Sequence, residues 1–261
     1  MRQKTIKKII NVFIALLLLC PILVDQTALV SAQTGSVVAT AIPSAASQDV
    51  GEQVTVSIHF DMTGVDSPDN ALGSFTSTLT WDPAIISYDH NSGLQEGLTG
   101  AINTAAVESG LITFNGANTS GVTGEFDVLT ITFDVISAAT TTLDLEFSAM
   151  SAAGTFNSLL GILTVNDGSV TGVAITYNLT VTVDPSGAGT TIPPVGVHPY
   201  DQDTLLNVTA QANAGYQFVH WSGDCDGSGV CQVTMNEDKS VTAHFVEVFE
   251  IFLPFIANNT D

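Results

Sequence analysis

The chain has 261 residues, 45% of them hydrophobic, and it sorts its charge along its length: four of its five basic residues are Arg2, Lys4, Lys7 and Lys8, and the fifth is Lys239. Against these stand 26 acidic residues, giving a formal net charge of −21. A surface so short of cations excludes nucleic acid and direct membrane binding, because both depend on clusters of Lys and Arg.

The first predicted element is a secretory signal peptide over residues 1–32. The basic start is followed by an apolar run over residues 9–19, and Val30, Ser31 and Ala32 place small residues before a cleavage point at Gln33. A retained anchor is the rival reading, but Pro21 and Asp25 interrupt a run already short of the roughly 20 apolar residues a spanning helix needs. Lipid attachment at Cys20 is disfavoured by Leu19, which stands where a small residue is wanted. The expected product is secreted or extracellular, with cell-surface association left open. Cleavage removes Asp25 and leaves 25 carboxylates facing Lys239, a charge that keeps an exported monomer soluble.

The mature chain reads as all-β. Ala, Thr, Val, Ser and Gly dominate it, and turn residues recur at short intervals. Val54, Val56, Ile58 and Phe60 alternate with Thr55, Ser57, His59 and Asp61, and the same period of two recurs in Leu129, Ile131, Phe133 and Val135 and in Leu143, Leu145 and Phe147. Each such segment buries one face and wets the other, as in an antiparallel sandwich. The best helix candidate covers only residues 101–107. Trp81 extends the apolar strand face of Phe75 and Leu79, and Asp82 and Pro83 end that strand, since proline removes a ladder donor. Gly51 leads a strand out of a turn, and Asn166, Asp167 and Gly168 read as hairpin chemistry.

The pattern restarts near Gly172, which divides a domain over residues 33–172 from a second over 173–247, with a short tail over 248–261. Further strands are expected at Leu179, Val181 and Val183, at Leu206, Val208 and Ala210, at Val233 and Met235, and at Val241, Ala243 and Phe245. A segment of this size gains from a staple. Cys225 and Cys231 are the only cysteines beyond residue 20, and they predict a disulfide in an oxidising compartment. A metal site there lacks ligands, because Asp224 and Asp226 have no His or Cys pair at zinc spacing beside them.

Residues 37–171 resemble a cohesin, the module that holds dockerin-bearing enzymes in cellulosomes. Four blocks in order carry the resemblance: residues 50–56 (VGEQVTV), Leu79, Thr80, Trp81, Asp82 and Pro83 with Ile85 and Ile86, residues 124–129 (GEFDVL), and residues 166–170 (NDGSV). The resemblance implies a cohesin-like jelly-roll β-sandwich that docks a dockerin helix on one sheet face. By position, the partner-binding residues would be Ser74, Thr76 and Thr78 on the strand before the Asp-Pro corner, with Ala117, Asn118 and Thr119 on a mid-domain loop. Small hydroxyls are weak anchors where acidic or amide side chains are usual, and a solvated Thr-rich strand face is the competing reading.

Residues 177–246 resemble the bacterial extracellular repeat related to internalin-type B repeats, through residues 215–223 (GYQFVHWSG), the cysteine pair and residues 235–245 (MNEDKSVTAHF). The resemblance implies a small β module acting as spacer or adhesion unit. Tyr216, Phe218 and Trp221 could stack on sugar, but in so small a module they serve better as core.

No catalytic residue, cofactor or metal is implied. The carboxylates form no recognisable glycosidase pair, no Gly-x-Ser-x-Gly elbow occurs, and His59, His90, His198, His220 and His244 are dispersed. Three non-catalytic readings follow: docking of a dockerin-like module in extracellular polysaccharide degradation, carbohydrate binding at a cell surface, or a structural adhesion or spacer role. The sequons at Asn118, Asn178, Asn207 and Asn258 are of a kind that a Thr-rich chain produces by chance. Phe252, Leu253, Pro254, Phe255 and Ile256 in the tail read as a docked edge strand or a sorting tag, not a sortase signal.

Overall fold

The computed structural model describes residues 34–249, so the signal peptide, the Asn258 sequon and all but the first residues of the tail lie outside the described part. The described chain is β throughout apart from two single-turn 3₁₀ helices, Val107–Ser109 and Leu160–Ile162.

The strands up to residue 173 are, in order, β1 (Val37–Pro43), β2 (Ser47–Asp49), β3 (Gln53–Asp61), β4 (Leu72–Thr80), β5 (Ile86–Asn91), β6 (Thr99–Asn103), β7 (Leu111–Val122), β8 (Glu125–Val135), β9 (Thr140–Ala152), β10 (Leu163–Asn166) and β11 (Gly168–Val173). They form a five-stranded sheet of order β10-β1-β3-β8-β5 and a six-stranded sheet of order β2-β11-β9-β4-β7-β6. Alternation decides which side chains meet between them. Val54, Val56, Ile58 and Phe60 of β3 are fully buried, as are Phe133 and Val135 of β8 and Leu143 of β9. Phe60 meets Phe75 of the opposite sheet edge-on at 5.2 Å, and Phe75 meets Phe114 at 6.0 Å, an aromatic geometry favoured by the ring quadrupoles.

Two local expectations are corrected. Residues 101–107 form no helix: β6 takes the first part as an antiparallel edge partner of β7, and only a 3₁₀ turn follows. Ladder pairing overrides the weak helix preference of its alanines. Nor do Asn166, Asp167 and Gly168 make a hairpin. Asn166 ends β10, which runs parallel to β1, whereas Gly168 begins β11 in the other sheet against β9, so the chain crosses between layers there. Gly168 is needed for close approach and not for a left-handed backbone, because a Cβ there would lie 2.4 Å from the Ala41 carbonyl oxygen.

Beyond residue 175 the strands are β12 (Thr176–Asp184), β13 (Gly189–Ile192), β14 (Gly196–Asp201), β15 (Leu205–Ala212), β16 (Tyr216–Gly223), β17 (Cys231–Thr234) and β18 (Lys239–Glu247). They form sheets of order β14-β12-β18-β16 and β13-β15-β17. Leu179, Val181, Val208, Trp221, Met235, Val241 and Ala243 make a core separate from that of the first eleven strands. Phe218 packs on Trp221 at 5.4 Å and on Phe245 at 5.5 Å, and Tyr216 lies half-buried against the same cluster. The three aromatic residues therefore build core. Cys225 and Cys231 are disulfide-bonded, with Cα atoms 5.7 Å apart.

Candidate functional site

Strand β4 lies in the middle of the six-stranded sheet, between β7 and β9. Its period of two sends Phe75, Ser77 and Leu79 into the core and leaves Ser74, Thr76 and Thr78 half-exposed on the outer face. Ser74 stands opposite Ala117 and Ser151, Thr76 opposite Asn115 and Ala149, and Thr78 opposite Thr113 and Glu146. On the far side of β7, β6 adds Thr99, Ala101 and Asn103 opposite Ala117, Asn115 and Thr113. Residues directly opposite share a face. The result is a platform of Thr, Ser, Ala and Asn four strands wide, roughly 14 Å across at the usual strand spacing. Asp144 and Glu146 of β9 are its exposed carboxylates, and it carries no lysine or arginine.

Of the six predicted contact residues, Ser74, Thr76 and Thr78 share the outer face of β4, and Ala117, Asn118 and Thr119 lie within strand β7, beside Ser74, and not on the expected loop. Thr76 and Thr78 lie along the platform. Ser74, Asn118 and Thr119 lie at one end of it and line a hollow of about 210 Å³ with Gly73, Ala117, Ser151, Ala153, Gly154 and Phe156. Three of the polar side chains around it are held by hydrogen bonds. Ser74 Oγ is 2.8 Å from Ser151 Oγ, Asn118 Nδ2 donates to the Glu96 carbonyl at 3.2 Å, and Asn118 Oδ1 accepts from the Ser120 amide at 3.0 Å. Phe156 was not foreseen from sequence: it is 81% exposed, where an aromatic residue in so β-rich a chain reads as core.

A larger hollow of about 500 Å³ sits at the junction of the two domains. Val50, Gly51, Ile136, Ser137 and Ala138 line one side of it, and Ala174, Ile175, Asp201, Gln202 and Asp203 the other. It contains no cluster of groups with convergent chemistry. Among the described residues no group of three or more His, Cys, Asp or Glu side chains is placed to hold a metal ion. No described helix is long and apolar enough to cross a membrane.

The histidines are less dispersed than their spacing suggests. His59 Nδ1 pairs with Asp127 at 2.8 Å, and His90 Nδ1 with Asp89 at 2.9 Å. The His90 hydrogen bond holds the Asp89 carboxyl below the usual carboxylate range, with help from Gln53. On the outer face of the second domain, Ser222 Oγ lies 2.8 Å from His244 Nε2, and His244 Nδ1 lies 3.1 Å from Asp184 Oδ2. The connectivity is that of a hydrolase relay. The three residues sit on an open sheet face, outside the hollows described above, with Asp184 66% exposed, so they tie β16, β18 and β12 together without enclosing a substrate. His220 stacks on His244 with ring centroids 4.7 Å apart.

Residues 179–248 match the family model described as the divergent InlB B-repeat domain. No curated protein matches the chain. Its structural neighbours over about half its length are cohesins. It is similar to the seventh ScaB type I cohesin from Pseudobacteroides cellulosolvens, at 16% identity over 54% of this chain and 94% of that chain, with a TM-score of 0.43. It is also similar to a non-cellulosomal cohesin from the hyperthermophilic archaeon Archaeoglobus fulgidus, at 17% identity over 54% and 92%, with a TM-score of 0.41. A type I cohesin–dockerin complex from Clostridium thermocellum matches at 12% identity over 54% and 99%, with a TM-score of 0.43.

Proposed function

We propose that this is an exported, non-catalytic binding protein whose β6-β7-β4-β9 face docks a dockerin-like protein module in extracellular polysaccharide degradation, with the second domain as spacer. The observation that carries the reading is the platform itself. Ser74, Thr76 and Thr78 lie outward in register with Thr113, Asn115 and Ala117, and their small side chains leave a flat face open to a rigid partner. The ordered sequence blocks from Val50 to Val170 supply the partner class. A face of small side chains in the middle of a sheet suits a helix laid across it, whereas a strand partner would need a free sheet edge. Any calcium requirement would belong to the partner, since dockerins fold around that ion.

The test is calorimetric titration of the full chain with a panel of calcium-loaded dockerins, repeated with chelator and alongside soluble oligosaccharides. Saturable dockerin binding that chelation abolishes, and that Thr76→Arg at the centre of the platform removes, is the expected result. Oligosaccharide binding without any dockerin binding would replace the reading.

A further inference from the structure

One aromatic residue beside the platform is held out in solvent by a buried carboxylate. Phe156 is 81% exposed and adopts φ of 60°, a left-handed backbone that bulky side chains avoid. Its neighbours on both sides are tied to Asp69, which is only 7% exposed. Thr155 Oγ1 donates to Asp69 Oδ1 at 2.5 Å, and Asn157 Nδ2 lies 3.2 and 3.0 Å from the two Asp69 oxygens. The Phe156 amide donates to the Ala152 carbonyl at 3.2 Å, closing the loop. A carboxylate is costly to bury unless it is well hydrogen-bonded. Here its bonds fix residues 155 and 157 and leave the one between them pointing outward. Backbone strain maintained in this way is characteristic of recognition sites.

We propose that Phe156 and the hollow beside it form the anchor site of the docking face, gripping one aliphatic side chain on a helix of the partner protein. The proposal rests on the docking reading above and adds the residue that supplies most of its affinity. The hollow of about 210 Å³ is smaller than the roughly 300–1,000 Å³ of small-molecule sites, so it suits a single side chain. Its chemistry selects the class. Ser74 and Ser151 bond to each other and the Asn118 amide bonds to backbone, while Ala117, Ala153 and Phe156 present carbon surface to the hollow. Glu96, whose carbonyl accepts from the Asn118 amide at the rim of the hollow, is acidic, and no lysine or arginine occurs between residue 9 and Lys239. The matching partner segment therefore sets its aliphatic residue among lysine or arginine.

The experiment compares the full chain with Phe156→Ala, Phe156→Leu and Ala153→Leu, the last filling the hollow while leaving the aromatic in place. Each is titrated with calcium-loaded dockerins and with cello- and xylo-oligosaccharides, and each is used to select from a helical-scaffold display library. Dockerin affinity is expected to fall about thirtyfold or more in Phe156→Ala and in Ala153→Leu, and to be largely kept in Phe156→Leu. Equal dockerin binding by Phe156→Ala overturns the anchor and leaves the docking reading intact. If no dockerin binds the unaltered chain, the docking reading fails and the library decides: clones rich in Leu or Ile beside Lys or Arg that require Phe156 sustain the anchor, and an absence of such clones overturns it. Loss of an oligosaccharide signal in Phe156→Ala, or a self-association of the chain that this variant abolishes, also overturns it.

Discussion

Trp81, one residue past the end of β4, packs edge-on against Phe133 of β8 in the opposite sheet, with ring centroids 4.9 Å apart and planes at 69°. Both are buried, and both belong to the core that joins the two layers beneath the outer face of the six-stranded sheet. Truncating a buried aromatic removes its transfer energy and leaves a cavity, so Trp81→Ala is expected to cost about 3–5 kcal/mol. Urea denaturation followed by circular dichroism would read this in the first domain, and a loss under about 1 kcal/mol would mean that the ring is not part of the packed core.

The same corner depends on Gly110, which has φ of 73° and whose carbonyl accepts from the Trp81 amide at 3.0 Å. A Cβ at this position would meet the Trp81 carbonyl oxygen at 2.1 Å, and that atom is backbone with no freedom to turn away. Gly110→Ala is therefore expected to destabilise the first domain by about 2–4 kcal/mol, strain and crowding together. The thermal midpoint reads it directly, and a midpoint equal to that of the unaltered protein would refute the close approach.

What the sequence disclosed and what it hid divide along a physical line. Val54, Val56, Ile58 and Phe60 announce β3 because strand alternation is local, and the positions of Ser74, Thr76 and Thr78 on one face follow from the same rule. Residues 101–107 misled because edge strand β6 is exposed on both sides over much of its length and shows no alternation. Gly168 misled because a turn tripeptide reads alike whether the chain reverses within a sheet or crosses to another. Asp69 and Asn157 are 88 positions apart, and Asp184 and His244 are 60 apart, so neither pairing leaves a trace in local pattern. Phe156 was hidden by hydrophobicity itself, which argues for burial in the absence of the loop that holds it outside.

In the second domain the disulfide loop is bound to the core residue it surrounds. Trp221 Nε1 donates to the Gly229 carbonyl at 3.0 Å and its amide donates to the Gly227 carbonyl at 2.8 Å, both within the segment that Cys225 and Cys231 close. Opening so short a loop forfeits about 2 kcal/mol on the loop-entropy model and loosens both bonds. Because the two cores are separate, replacing both cysteines with alanine is expected to lower only the second domain's calorimetric transition and to red-shift Trp221 emission in a Trp81→Phe background. A shift of both transitions together would instead show that the two domains unfold as one unit.

Lys239 supplies the pH dependence. Its Nζ lies 2.6 Å from Glu237 and 3.6 Å from Asp224, whose other oxygen accepts from the Ser240 amide at 2.6 Å. The hydrogen bond to Glu237, followed by the attraction of Glu237 and Asp224, holds the ammonium above the ordinary lysine range despite its partial desolvation. A proton bound more tightly in the folded state stabilises fully below the unfolded lysine value of about 10.4 and is lost as pH rises through the raised value. The difference in thermal midpoint between the unaltered chain and Lys239→Gln is therefore expected to stay constant from neutral pH to about 9 and to shrink above about 10.5. Taking that difference cancels the tyrosines, which titrate in the same window. A difference that persists unchanged to pH 12 would show that the lysine acts through its methylene packing and not through its charge.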